Sequence, residues 1–69
     1  MLYGGRLFAG ETVRVPDDRH VHVFVPVGTA DLQSAGRLGS GDAARLTDAG
    51  ALDLTAGEAG AEVLIWATA

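Results

Sequence analysis

The sequence predicts an all-β domain, a small β-barrel or jelly roll of short antiparallel strands. Apolar and polar residues alternate with period two along most of the chain, and ten glycines in 69 residues punctuate that alternation at short intervals. No stretch shows a sustained helical period. A chain of this length is expected to form one domain, 1–69, and to bury only about 60% of the surface its unfolded form exposes. Because it contains no cysteine, disulfides and thiolate metal sites are excluded. Association with another copy or another domain is therefore the expected supplement to a thin core.

The first strand is expected over Leu2 to Phe8, aromatic and aliphatic but interrupted by Gly4-Gly5. Ala9-Gly10-Glu11 reads as a turn into Thr12 to Val15, where Val13 and Val15 take the buried face. Pro16-Asp17-Asp18 stops that strand, since proline cannot donate to a ladder and aspartates favour turns. The strongest strand runs from His20 to Val27. Gly28-Thr29-Ala30-Asp31 is expected to turn it, followed by a short segment with Leu32, a turn at Ser34-Ala35-Gly36, and Arg37-Leu38. Gly39-Ser40-Gly41-Asp42 reverses the chain again. Ala43 to Thr47, Ala51 to Ala56 and Ala61 to Ala67 complete the set, separated by turns at Asp48-Ala49-Gly50 and Gly57-Glu58-Ala59-Gly60. On propensity alone, Ala43-Ala44 or Ala59 to Ala61 fit a helix as well.

Five basic residues against nine acidic ones leave a net charge of -4. The arginines stand singly at Arg6, Arg14, Arg19, Arg37 and Arg45, whereas phosphate-backbone binding needs a basic patch, so nucleic acid is not an expected partner. No secretory signal and no apolar run long enough for a bilayer is visible, which makes the cytoplasm the expected compartment and a membrane an unexpected partner.

His20-Val21-His22 is the most suggestive local pattern, because residues two apart on a strand share a face. Val21, Val23, Val25 and Val27 form one stripe of that strand; His20, His22, Phe24 and Pro26 form the other. Burying four valines contributes roughly 1.5 to 3 kcal/mol each, while burying unpartnered imidazoles costs energy. The valines should therefore face inward and the histidines outward. A metal site needs three or four ligands, and His20 with His22 supplies two, so Asp17, Asp18 or a residue of a neighbouring strand would have to complete it. Trp66 alternates with Leu64 and Glu62 on the last strand, opposite Val63, Ile65 and Ala67. His20, His22, Phe24 and Trp66 are thus the candidate interface residues. Asp17-Asp18 reads as a solvated turn. Gly39-Ser40-Gly41, lacking a following lysine, reads as a hairpin turn and not as a phosphate loop.

The order of an apolar strand ending in Val27-Gly28, then Gly36 and Leu38, Gly41-Asp42-Ala43-Ala44 and finally Glu62-Val63-Leu64-Ile65 resembles the C-terminal cupin half of pirin-like proteins. That bicupin family includes quercetin 2,3-dioxygenases. The resemblance covers nearly the whole chain and implies a cupin-like β-barrel or jelly roll, with metal and dioxygenase activity belonging to the N-terminal cupin of the complete protein. In the first cupin metal motif, Gly28 matches the closing glycine, but Val21 falls on the glutamate position. Arg14 and Pro16, or Val15 and Asp17, fall on the two histidines. In the second motif Gly41 matches the glycine, Gly39 falls on the proline, Ala44 on the histidine and Asp48 on the asparagine.

The expected function is that of a non-catalytic, metal-free module, with no catalytic residue, no cofactor and no metal at Val21 or Ala44. It would act by association, as a homodimer or as partner of another, metal-bearing cupin. Two alternatives remain: a quercetinase-type dioxygenase using a divalent transition metal at His20 and His22, and a small-molecule binder. The binder would use an interior lined by Val13, Val21, Val23, Leu46, Leu54 and Ile65.

Overall fold

A computed structural model describes residues 2–48 and 50–68. The six strands are β1 (Leu2–Leu7), β2 (Thr12–Val15), β3 (His20–Leu32), β4 (Gly36–Leu38), β5 (Asp42–Thr47) and β6 (Leu52–Thr68). All pairings are antiparallel, and no helix occurs among the described residues. Ala43-Ala44 and Ala61 therefore lie in strands, because their helical propensity is outweighed by ladder pairing at Val23↔Ala44 and Leu7↔Ala61.

The spine is the ladder between the two long strands, running from His20↔Thr68 to Leu32↔Leu54. On its β6 side, β1 pairs the C-terminal half of β6 and β2 pairs the N-terminal half. On its β3 side, β5 pairs the first half of β3 and β4 pairs the last residues. The result is two four-strand layers, β1-β6-β3-β5 and β2-β6-β3-β4, that share their two middle strands. Inward residues of both enter one hydrophobic cluster, with Val23, Val63 and Ile65 from the first layer meeting Val15, Leu32 and Leu54 from the second. This is a small jelly-roll arrangement that buries one core between two sheet faces.

Two of the expected turns are not turns. Gly28 to Asp31 continues β3, and Gly57 to Gly60 continues β6, so the separate strands expected on either side of each are single strands of 13 and 17 residues. The physical reason is that Gly28 (φ 87°) and Gly60 (φ 77°) bend the two strands together while ladder pairing resumes beyond them at Ala30↔Ala56. Register shifts between Phe24 and Val27 and between Gly28 and Ala30 mark the irregularity. The first shift also corrects the inward stripe. Val21, Val23 and Val25 are buried as expected, but the extra residue on β3 around Pro26 reverses the alternation and leaves Val27 54% exposed.

The other reversals fall where the sequence places them. Glu11 N–H donates to the Phe8 carbonyl at 3.0 Å, Ala35 N–H to the Leu32 carbonyl at 3.0 Å, and Asp42 N–H to the Gly39 carbonyl at 3.0 Å. Asp17 is exposed and Asp18 half-buried between β2 and β3. Ala49, in the turn expected at Asp48-Ala49-Gly50, lies outside the described residues.

Candidate functional site

The inner face is where a cupin metal centre would be held. Val21 and Val23 lie there opposite Leu46 and Ala44, with Val63, Ile65 and Ala67 on the adjacent strand. Val21 and Val23 are buried, and Ala44 and Leu46 are half-buried against the same cluster. Val13, also expected to line the interior, packs half-buried against that cluster. None of these side chains carries a nitrogen, oxygen or sulfur donor, so Val21 and Ala44, the inward motif positions, offer no metal ligand. No buried polar or charged residue occurs among the described residues. Two clefts, of about 410 and 330 Å³, open at the surface, and neither is lined by Val21, Val23, Leu54 or Ile65.

His20 and His22 are on the outer face. Across the ladder His20 stands between Thr47 and Thr68, and His22 between Arg45 and Trp66. None of these neighbours is an imidazole or a carboxylate. Among the described residues no group of three His, Cys, Asp or Glu side chains gathers anywhere, so Asp17 and Asp18 are not brought to the pair. What His22 does contact is Trp66, its ring centroid 5.2 Å away with the planes tilted by 44°. Such a contact fits a packed outer surface better than a free ligand.

The outer face is built in rows across the strands. One row is Leu2, Trp66, His22 and Arg45; the next is Gly4, Leu64, Phe24 and Ala43. A third holds Arg6, Glu62 and Val27, with Arg6 Nη2 on Glu62 Oε1 at 3.0 Å. Leu2 is 65% exposed and Trp66 40%, while Phe24, Pro26 and Leu64 are half-buried. All four interface candidates, His20, His22, Phe24 and Trp66, thus lie on one face. Sequence reasoning missed Leu2 and Arg6 as their neighbours, because the β1–β6 pairing joins the two ends of the described chain. The smaller cleft lies in this face, with Gly4, Gly5, Pro26 and Leu64 among its walls. The larger lies beside it, beneath Phe8, which is 74% exposed.

Charge is arranged in local pairs. Besides Arg6–Glu62, Arg14 Nε meets Asp53 Oδ1 at 3.1 Å and Arg37 Nε meets Asp31 Oδ1 at 3.2 Å. The hydrogen bond to Asp31, with that carboxylate's charge, raises the Arg37 pKa above its ordinary value. All three pairs are solvent-exposed cross-strand contacts of modest energy, and no basic surface forms around them. No helix among the described residues is long and apolar enough to cross a membrane.

The chain is similar to one protein of Mycobacterium bovis and two of Mycobacterium tuberculosis, each named a "putative quercetin 2,3-dioxygenase". With each it is 49% identical over 65 residues, which is 94% of this chain. It spans about a quarter (26%) of the length of those relatives. No solved structure matches significantly. The family model for the quercetinase C-terminal cupin domain matches residues 1–66, and with the antiparallel jelly-roll layers described above this places the chain in the quercetinase C-terminal cupin domain family.

Proposed function

We propose that this chain is a non-catalytic cupin module that works by association, with a second copy or with a metal-bearing cupin domain. The observation that carries the reading is the apolar filling of the motif positions. Val21 and Ala44 stand on the inner face, where the family resemblance puts a carboxylate and an imidazole. The outer face supports the association half of the reading. Large apolar side chains, Leu2 and Trp66 among them, remain exposed there around His22 and Phe24, as on surfaces that become covered.

The competing reading is a metal-dependent dioxygenase; the relatives are each named a "putative quercetin 2,3-dioxygenase". It would need a metal at His20 and His22. Elemental analysis of protein purified without affinity metal, beside a His20→Ala/His22→Ala variant, separates the two. The proposed function expects no stoichiometric iron, nickel, copper or zinc in either protein. One equivalent of metal in the wild type that is lost in the variant, with quercetin consumption lost alongside it, would overturn the proposal.

A further inference from the structure

Along the outer face, each residue of β1 has an in-register neighbour on β6 that complements it. Leu2 stands beside Trp66, Gly4 beside Leu64 and Arg6 beside Glu62. Phe8 follows Leu7, whose partner is Ala61, and together with Gly60 it lines the larger cleft. Apolar thus stands by apolar, a missing side chain by a large one, cation by anion, and an exposed ring by a glycine.

We infer that a second copy of this chain docks face to face on this surface, about a two-fold axis running parallel to β1 and β6 and midway between them. The inference rests on the proposed function and names its occupant. Such an axis lays β1 of one copy over β6 of the other at the same height along the strands. Each outward residue of β1 and β6 then meets, on the second copy, the residue that is already its cross-strand neighbour in its own chain. Leu2 meets Trp66 of the second copy, and Arg6 meets Glu62 of the second copy. Phe8 comes over the bend at Gly60. Leu64 leans over Gly4, to the point that a Cβ on Gly4 would lie 3.0 Å from Leu64 Cδ2, so the two Leu64 side chains meet beside the axis. The face is self-complementary in the sense that an isologous interface requires.

Charge selects this axis over the others. A two-fold axis drawn across the strands through the Arg6–Glu62 row would set Arg6 on Arg6 and Glu62 on Glu62. A slip of two residues along the strands would put Arg6 over Leu64 and cover an unpaired cation. Only the axis along the strands closes the Arg6–Glu62 pair into a ring of four alternating charges. A footprint of two strands, β1 and β6, on each copy makes this a small interface at the low end of specific ones, and a weak dimer.

Sedimentation equilibrium from about 1 to 300 µM protein tests this. The wild-type chain is expected to dimerise, and Arg6→Glu and Glu62→Arg are each expected to weaken dimerisation at least about tenfold. An equimolar mixture of the two variants should recover wild-type affinity as a heterodimer, because the all-acidic row of one chain then faces the all-basic row of the other. A ring serving only the fold would give no such rescue. In a mixture of isotope-labelled and unlabelled wild-type chains, filtered NOEs should connect Leu2 methyls of one copy to the Trp66 indole of the other, a readout that needs no variant. Dimerisation unaffected by either reversal, a mixture no tighter than its components, or a dimer lacking that NOE would overturn the inference while leaving association as the proposed function. A chain monomeric throughout the range would also overturn it, and association would then fall to a different cupin domain. Stoichiometric metal held by His20 and His22 would instead overturn the proposed function and leave the dimer.

Discussion

The two faces of the β3–β6 ladder share one backbone and differ in almost everything else. Inward, Val21, Val23, Val63 and Ile65 are aliphatic and buried. Outward, the same segments carry His20, His22, Glu62 and Trp66, of which His22 and Trp66 touch each other. The inner face is held by packing, where each side chain depends on its neighbours' volumes. The outer face is held by the ladder and by exposed cross-strand contacts such as Arg6–Glu62 and His22–Trp66, so its chemistry is freer to vary. Fold and the proposed association are therefore expected to be separable by substitution, one on each side of a single strand.

The sharpest way to break that separation is Val21→Glu, which puts the glutamate implied by the family resemblance back on the inner face. It should destabilise by roughly 3–5 kcal/mol, since a buried unpaired carboxylate is costly and no donor faces it. Burial would raise its folded-state pKa above the unfolded value. The destabilisation should therefore be largest above the folded-state pKa and ease as pH falls toward the unfolded value, which urea titrations at several pH values will read. Equal loss at acid and neutral pH would mean that the position is open to water.

Gly28→Ala tests the bend between the two layers. A Cβ there would strike the Gly60 carbonyl oxygen and sit at φ 87°, so about 2–4 kcal/mol should be lost, visible as a lower urea midpoint. Trp66→Ser addresses the outer face. Its stability cost should stay near 1 kcal/mol, because the side chain is only partly buried, while self-association falls at least about tenfold. A cost comparable with that of Leu54→Ala, about 2–5 kcal/mol, would make Trp66 a core residue and erase the contrast. The smallest change expected is from Ser34→Gly at the rim. Ser34 holds φ 70°, so relief of that strain should outweigh the added chain entropy and stabilise by about 0.5 kcal/mol.

Much of this was legible in the sequence, and the rest was hidden for identifiable reasons. The alternation of His20 to Val25 gave both faces of β3 correctly, because burying valines dominates the choice of side. The same rule failed at Val27, since one extra residue near Pro26 changes parity, and a proline in a central strand is the one local mark of such a bulge. Gly28-Thr29-Ala30-Asp31 and Gly57-Glu58-Ala59-Gly60 have the composition of turns. Only the distant pairings Gly28↔Ala61 and Ala30↔Ala56 make them bends instead. His20, His22, Phe24 and Trp66 were legible as one face from period two within their strands. Leu2 and Arg6 were not, because which strand lies beside β6 is a question of topology and not of pattern.

The spine also sets an order in time. Gln33 to Ala51 separate the end of β3 from the start of β6, and β1 closes onto β6 alone. At a synthesis rate of about 5–20 residues per second, β3 stands complete for roughly 1–4 s before its main partner begins to emerge. During that interval β1 and the valine stripe of β3 are open strand edges and bare apolar surface. Because closing the spine requires contacts between distant residues, folding itself is expected to take milliseconds to seconds. Aggregation of this protein should therefore be decided during synthesis, while β6 is still missing, rather than by the equilibrium stability of the finished fold.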